Sequence, residues 1–165
     1  MRSLALLATC LCLPTLLPAQ VGGSGPTADP RIGAALEEIG LTSEIDGDGD
    51  YKLVVNVDDE GERTQIVYII SGTERYGNLE IREIWAPSFK TGGALDPDVA
   101  RQMLIANNRM KLGAWRLYGD AEDQMAVYAV HIDADANAQA IRDALALVVN
   151  VADAEELKQT GMDEY

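Results

Sequence analysis

The stretch KLVVNVDDEGERTQIVYII, residues 52–70, contains two runs of strand-forming residues joined by a polar segment. Lys52 to Val57 alternates apolar and polar side chains, which is the period of a half-buried strand. The segment Asp58-Asp59-Glu60-Gly61 separates it from a second run, Thr64 to Ile70. Two such runs around a short turn containing glycine predict a β-hairpin.

Three further strands are predicted along the chain. The segment Ser71 to Asn78 is expected to be a loop, and Leu79 to Trp85 a third strand that Pro87 ends. A second hairpin follows, formed by Ala114 to Tyr118 and Gln124 to Ile132.

Three helices complete the pattern. Asp29 and Asp96 are suitable N-cap residues, and each precedes a proline at the first helical position, Pro30 or Pro97. A long final helix is expected from about Asn137 to Lys158. The apolar faces of the three helices are predicted to be Ile32, Leu36 and Ile39; Val99, Met103, Ala106 and Met110; and Ile141, Leu145, Val148 and Ala152.

The resulting order is α-β-β-β-α-β-β-α, which predicts an α+β fold with a five-stranded antiparallel sheet and packed helices. Residues 66–70 and 126–132 are apolar on both alternating faces, although a sheet with helices on one side alone should alternate more cleanly. We therefore expect the second face to be covered by another molecule, either a partner segment or a second copy in a homodimer.

The first 19 residues have the features of a secretory signal. Arg2 is their single charged residue, and Leu4 to Leu17 forms an apolar run too short to span a bilayer. Ala19 supplies a small residue for cleavage before Gln20. These features predict a periplasmic or secreted protein with no membrane span after signal removal.

Residues 20–30 are predicted to be a flexible leader, and residues 31–165 a single domain. Both cysteines, Cys10 and Cys12, lie in the signal, so the mature chain has no thiol, disulfide or cysteine metal site. Loss of Arg2 leaves 12 Lys and Arg against 27 Asp and Glu, a formal net charge of −15. Such a surface repels nucleic acid and anionic lipid, and it suits solubility or a cationic partner.

Five short segments of the chain resemble, in order, the YbjN domain family, and the resemblance runs from about Ile32 to Tyr165. These segments are Asp48-Gly49-Asp50-Tyr51, Arg63-Thr64-Gln65, Arg82-Glu83-Ile84-Trp85, Leu112-Gly113-Ala114-Trp115, and the closing Ala152-Asp153, Glu156, Thr160-Gly161 and Asp163-Glu164-Tyr165. The resemblance implies a fold similar to type III secretion chaperones and a label of sensory transduction regulator. It implies no catalytic or binding residues. Secretion chaperones act in the cytoplasm, whereas this chain carries a signal peptide.

Asp46, Asp48 and Asp50 match the first three ligand positions of an EF-hand loop. Tyr51, however, stands where that loop needs glycine, and Val57 where it needs a bidentate glutamate. The segment is therefore interpreted as a turn before a strand, and a weak surface cation site is the alternative.

His131 is the single histidine, and no nucleophile motif surrounds Ser43, Ser71 or Ser88, so we interpret it as structural. One histidine without cysteine also excludes the usual zinc sites. Trp85 and Trp115 are interpreted as core or sheet-face anchors rather than as a sugar platform.

The sequence thus predicts an exported, non-enzymatic binding domain, chaperone-like or regulatory, with no catalytic residues, cofactor or metal. The alternatives are a small periplasmic hydrolase that uses acidic residues in a cleft and a structural subunit of the envelope.

Overall fold

The computed structural model describes residues 27–58, 61–120 and 122–165, so the predicted signal and most of the predicted leader lie outside the described residues. Three helices and six strands are found in the described part. In chain order they are α1 (Pro30–Glu38), β1 (Glu44–Ile45), β2 (Tyr51–Asn56), β3 (Thr64–Tyr76), β4 (Leu79–Lys90), α2 (Pro97–Asn107), β5 (Ala114–Gly119), β6 (Gln124–Asp133) and α3 (Ala138–Thr160).

The strands form one antiparallel sheet in the order β1-β2-β3-β4-β6-β5. The α+β class and the antiparallel sheet are therefore confirmed, but the sheet has six strands where five were predicted. The additional strand, β1, is only two residues long, and both of its residues are exposed. A strand this short cannot show the alternation of apolar and polar residues from which strands are predicted. It is defined only by its pairing with β2.

β3 and β4 are much longer than the predicted strands Thr64 to Ile70 and Leu79 to Trp85. The prediction of a loop over 71–78 is wrong, because residues 71–76 belong to β3. β3 continues to Tyr76, which pairs with Leu79 across a tight turn at Gly77, where φ is 64°. The ladder tolerates this extension because its register shifts between Ile69 and Thr73. At such a bulge some residues stay unpaired, so a strand can continue past residues that do not fit a regular ladder.

Pro87 does not end β4, contrary to the prediction. The pairing of β4 with β6 shifts register between Pro87 and Phe89 and then continues to Lys90. A bulge accommodates a residue that has no N–H to donate. The Pro87 carbonyl is also used, because the buried Gln65 side chain donates to it at 2.8 Å.

The helix starts agree with the capping residues in the sequence. The Asp29 side chain accepts from the Arg31 amide, and the Asp96 side chain accepts from the amides of Asp98 and Val99. Asp29 and Pro30, at the end of the predicted leader, are thus part of the folded unit. The second helix ends at Asn107, before the predicted last contact residue Met110, which nonetheless packs against the core.

The core lies between the helices and one side of the sheet. α3 packs across β3, β4 and β6, and α1 packs against α3. The four residues predicted for the inner stripe of α3 are all buried. The sheet supplies to this core Tyr51, Leu53, Val67, Ile69, Ile84, Ala86, Phe89, Trp115, Ala126, Tyr128 and Val130.

A buried arginine holds the helix side together where β3 bulges. Arg82 is 1% exposed and donates to the carbonyls of Ile70 and Ser71 at 2.6 and 3.1 Å. It also pairs with Asp29 Oδ2 at 2.5 Å. The start of α1 is therefore anchored to the irregular part of the sheet.

Candidate functional site

The side of the sheet opposite the helices carries an apolar surface that no helix covers among the described residues. We call this surface the open face. Register places on it Val54 of β2, Ile66, Tyr68 and Ile70 of β3, Glu83 and Trp85 of β4, Val127, Ala129 and His131 of β6, and Arg116 and Tyr118 of β5. None of these residues belongs to the core cluster or packs against it. The open face is thus a second, separate apolar surface.

Three aromatic rings stack across the open face. The rings of Tyr68 and Trp85 lie 4.6 Å apart and those of Trp85 and Tyr118 lie 5.1 Å apart, each pair within 17° of parallel. The Trp85 indole N–H is buried there without a hydrogen-bond partner. Stacking and burial therefore hold this row of rings together.

Polar side chains meet beside the aromatic row around Glu83. Its Oε2 forms an ion pair with Arg116 and lies 3.0 Å from His131 Nε2, and Tyr118 Oη donates to its Oε1 at 3.4 Å. Burial, followed by the Glu83 charge, raises the pKa of the Tyr118 hydroxyl. One carboxylate is thus surrounded by a guanidinium, an imidazole and a phenol.

The open face is partly covered by its own side chains. Arg116 and Tyr118 of β5 reach β4, although β6 lies between those strands. They must pass over Val127 and Ala129, which explains why both residues are buried on a side without a helix. Residues 126–130 are therefore covered on both faces by other parts of this chain. Residues 66–70 are covered on the helix side, and their open-face side chains stay partly exposed.

An open pocket of about 520 Å³ lies at one end of this face. Its lining includes Glu83, Arg116 and His131 together with Glu74 and Tyr76, whose hydroxyl donates to Glu74 at 2.9 Å. A pocket with two carboxylates and a guanidinium can hold a polar group of either charge, so this end of the face is suited to polar contacts with a partner.

The Asp46 to Asp50 segment forms a side-chain-capped turn. Asp46 Oδ1 accepts from the amides of Asp48 and Asp50 at 2.9 Å each, and Gly49 has a φ of 83°. Asp50 Oδ1 in turn accepts from the Ser71 amide at 2.7 Å, which ties the turn to the bulge of β3. These contacts are the local hydrogen bonds expected of aspartate in a turn.

The residues considered for nucleophilic catalysis do not come together. His131 lies on the open face beside Glu83. The hydroxyl of Ser88 is buried on the helix side and donates to the Ala152 carbonyl, and that of Ser71 donates to the Gly49 carbonyl. The two tryptophans separate as well, since Trp115 is in the core and Trp85 is on the open face.

The structure also forms an acidic cluster that the sequence analysis did not single out as a site. Asp153, Glu156 and Asp163 each place a carboxylate oxygen within 4.8 Å of the other two. Glu156 is fully buried, and burial raises the pKa of its carboxyl. The one local signal is the spacing of Asp153 and Glu156, which lie three apart on the same side of a helix.

Among the described residues, no helix is both long and apolar enough to cross a membrane. Comparisons of the chain with protein-family models, with curated proteins and with solved structures give no significant match.

Proposed function

We propose that this chain is an exported, non-enzymatic binding domain that buries the open face of its sheet against protein, with a second copy of the chain as the occupant. The observation that carries the proposal is the apolar surface on the side of the sheet away from the helices. Val54 is 61% exposed there, and Ile66, Tyr68 and Ile70 remain partly exposed. Monomeric proteins rarely leave a contiguous apolar patch of this kind uncovered.

The size of the open face fits a dimer interface. β3, β4 and β6 have 13, 12 and 10 residues, and β2 and β5 have six each. Strands rise about 3.3 Å per residue and lie about 4.8 Å apart. The face therefore measures roughly 700 Å², close to the roughly 800 Å² that each partner buries in an interface of standard size.

The mixed charge of the open face also favours contact with a second copy of the chain, although the two copies repel each other elsewhere. The chain as a whole carries a formal net charge of −14, so two copies repel each other through most of their surface. The same side of the sheet, in contrast, carries residues of both signs: Lys52 and Arg116 beside Glu74, Glu83 and Asp133. A face of mixed charge can be complementary to itself, as a two-fold interface requires.

The resemblance to the YbjN family supports a chaperone-like or regulatory role for such a domain. In that proposal the chain acts in the periplasm or outside the cell, and a protein partner could replace the second copy on the same face.

Oligomeric state decides this proposal. Sedimentation of the mature chain over a range of protein concentration should give a species of twice the monomer mass, and added salt should strengthen it by screening the acidic surfaces. Val54→Glu and Tyr68→Glu should both shift the equilibrium to monomer. The matched control is Leu104→Glu on α2, where an apolar side chain that is 70% exposed lies outside the open face.

A clean monomer at high concentration in both low and moderate salt would overturn the homodimer. A dimer that Leu104→Glu disrupts and the open-face variants do not would move the interface to α2.

A further inference from the structure

The acidic cluster of Asp153, Glu156 and Asp163 lies at the end of the chain, on the helix side of the sheet and away from the open face. Asp153 and Glu156 project from α3, whose C-cap Gly161 has the left-handed conformation with φ of 69°. The chain then turns back, so that the Thr64 amide of β3 donates to both Asp163 oxygens at 3.3 Å. The cluster therefore joins α3, β3 and the C-terminal segment 161–165.

The negative charge of this cluster is only partly compensated. Arg63 pairs with Asp153 at 2.5 Å, and it is the one cationic side chain with an ion pair to the cluster among the described residues. The Glu164 amide donates to Glu156 Oε1 at 2.5 Å. Glu156 is 0% exposed and its buried Oε2 has no hydrogen-bond partner, although the amides of Glu164 and Tyr165 both act to lower the pKa of this carboxyl. A buried carboxylate oxygen normally has a partner.

The geometry of the three carboxylates suits calcium. Calcium binds oxygen ligands at about 2.3–2.6 Å, so two oxygens on one ion can lie as much as about 5 Å apart. The observed separations are within 4.8 Å, and all three ligands are carboxylates, the donors that hard cations prefer. Asp163 is exposed, so water can complete the coordination shell.

We propose that Asp153, Glu156 and Asp163 form a calcium site that fastens the C-terminal segment 161–165 to α3 and to the start of β3. The ion supplies the partner that Glu156 Oε2 lacks and balances the charge that Arg63 leaves. The proposal is independent of the open face and of the dimer.

Calorimetric titration of the mature chain with calcium, after removal of metal with a chelator, tests the site directly. We expect one ion per chain with a dissociation constant of about 10⁻⁴ to 10⁻³ M, the range of extracellular calcium modules. Calcium should also raise the unfolding temperature. Glu156→Gln and Asp163→Asn should each weaken binding by about tenfold or more. Asp163→Asn changes an exposed residue, so it keeps the test valid if the buried variant folds poorly.

The matched control is Asp48→Asn, which removes one exposed acidic charge from the turn at residues 46–50. It should leave calcium affinity unchanged. The proposal is overturned if the wild-type chain gives no calcium signal at millimolar concentration, or if Asp48→Asn abolishes binding and the cluster variants do not. It is likewise overturned if Glu156→Gln stabilises the chain while calcium has no effect. Glutamine resembles a protonated glutamate, so that result would mean that a neutral Glu156, and not an ion, relieves the repulsion in the cluster.

Discussion

Replacing Arg82 by methionine tests whether one buried arginine joins the first helix to the irregular part of the sheet. Arg82 is 1% exposed and lies between Asp29, the N-cap of α1, and the carbonyls of Ile70 and Ser71 at the bulge of β3. Methionine has a similar length but carries no charge and donates no hydrogen bond. The variant Arg82→Met therefore removes the contacts and leaves most of the volume.

The expected loss can be worked from the contacts. Removing one partner of a buried ion pair typically costs about 3–5 kcal/mol, because the other charge is left buried without compensation. Asp29 keeps a second cation, Arg31, whose Nη2 lies 2.7 Å from its Oδ2. The carbonyls of Ile70 and Ser71 each lose a donor. We therefore expect the free energy of unfolding to fall by about 3 kcal/mol, at the lower end of that range.

The matched control is Arg31→Met, because both arginines contact the same carboxylate oxygen. The Arg31 side chain is 40% exposed, so solvent screens its pairs with Asp29, Glu80 and Asp135, and we expect its loss to cost about 1 kcal/mol, the upper end for exposed pairs. Urea denaturation at neutral pH, followed by circular dichroism, should therefore separate the two variants clearly. A loss below about 1 kcal/mol for Arg82→Met, or an equal loss for both variants, would refute the reasoning.

Four further predictions concern the single residues Asp29, Gly113, Gly40 and Gln20. The Arg31 hydrogen bond, opposed by burial and aided by Arg82, holds the pKa of Asp29 well below its usual value. The stability that Asp29 contributes is therefore present above its unfolded pKa of about 3.9 and is lost as pH falls below it, so urea curves of the wild type and Asp29→Asn should converge in acid. Gly113→Ala should lower the free energy of unfolding in urea by about 2 kcal/mol or more, because φ is 83° and the new Cβ would lie 2.6 Å from the Ala129 carbonyl oxygen. Gly40→Ala, with φ of 71° and open space around it, should lose about 1 kcal/mol from backbone strain alone. Intact mass of the exported protein should show a chain that begins at Gln20, and recovery of the full-length chain would contradict cleavage there.

Much of the fold was predictable because its signals are local. A helix start needs only a capping side chain and a proline a residue later, as at Asp29-Pro30 and Asp96-Pro97. The inner stripe of α3 was predictable for the same reason, since Ile141 and Leu145 lie on one side of any helix of that length. The first hairpin and the α+β class followed from period-two alternation around a short turn.

The errors lie where pairing between distant residues overrides local preference. β1 forms because Glu44 and Ile45 pair with β2. Two exposed residues have no apolar pattern from which a strand could be predicted. Glycine at position 72 and proline at position 87 argue for breaks, yet bulges allow the long antiparallel ladders to continue past both.

The candidate sites show the same division more strongly. The sequence by itself determined that this domain is acidic, that residues 20–165 contain no cysteine, and that residues 66–70 are apolar on both faces of a strand. Tertiary structure alone decided that Glu83 meets Arg116 and His131 across three strands, and that Asp163 returns to Asp153 and Glu156. Those contacts depend on strand order and on where the chain turns after α3. Both are set by the packing of the whole domain, which no short segment of sequence encodes.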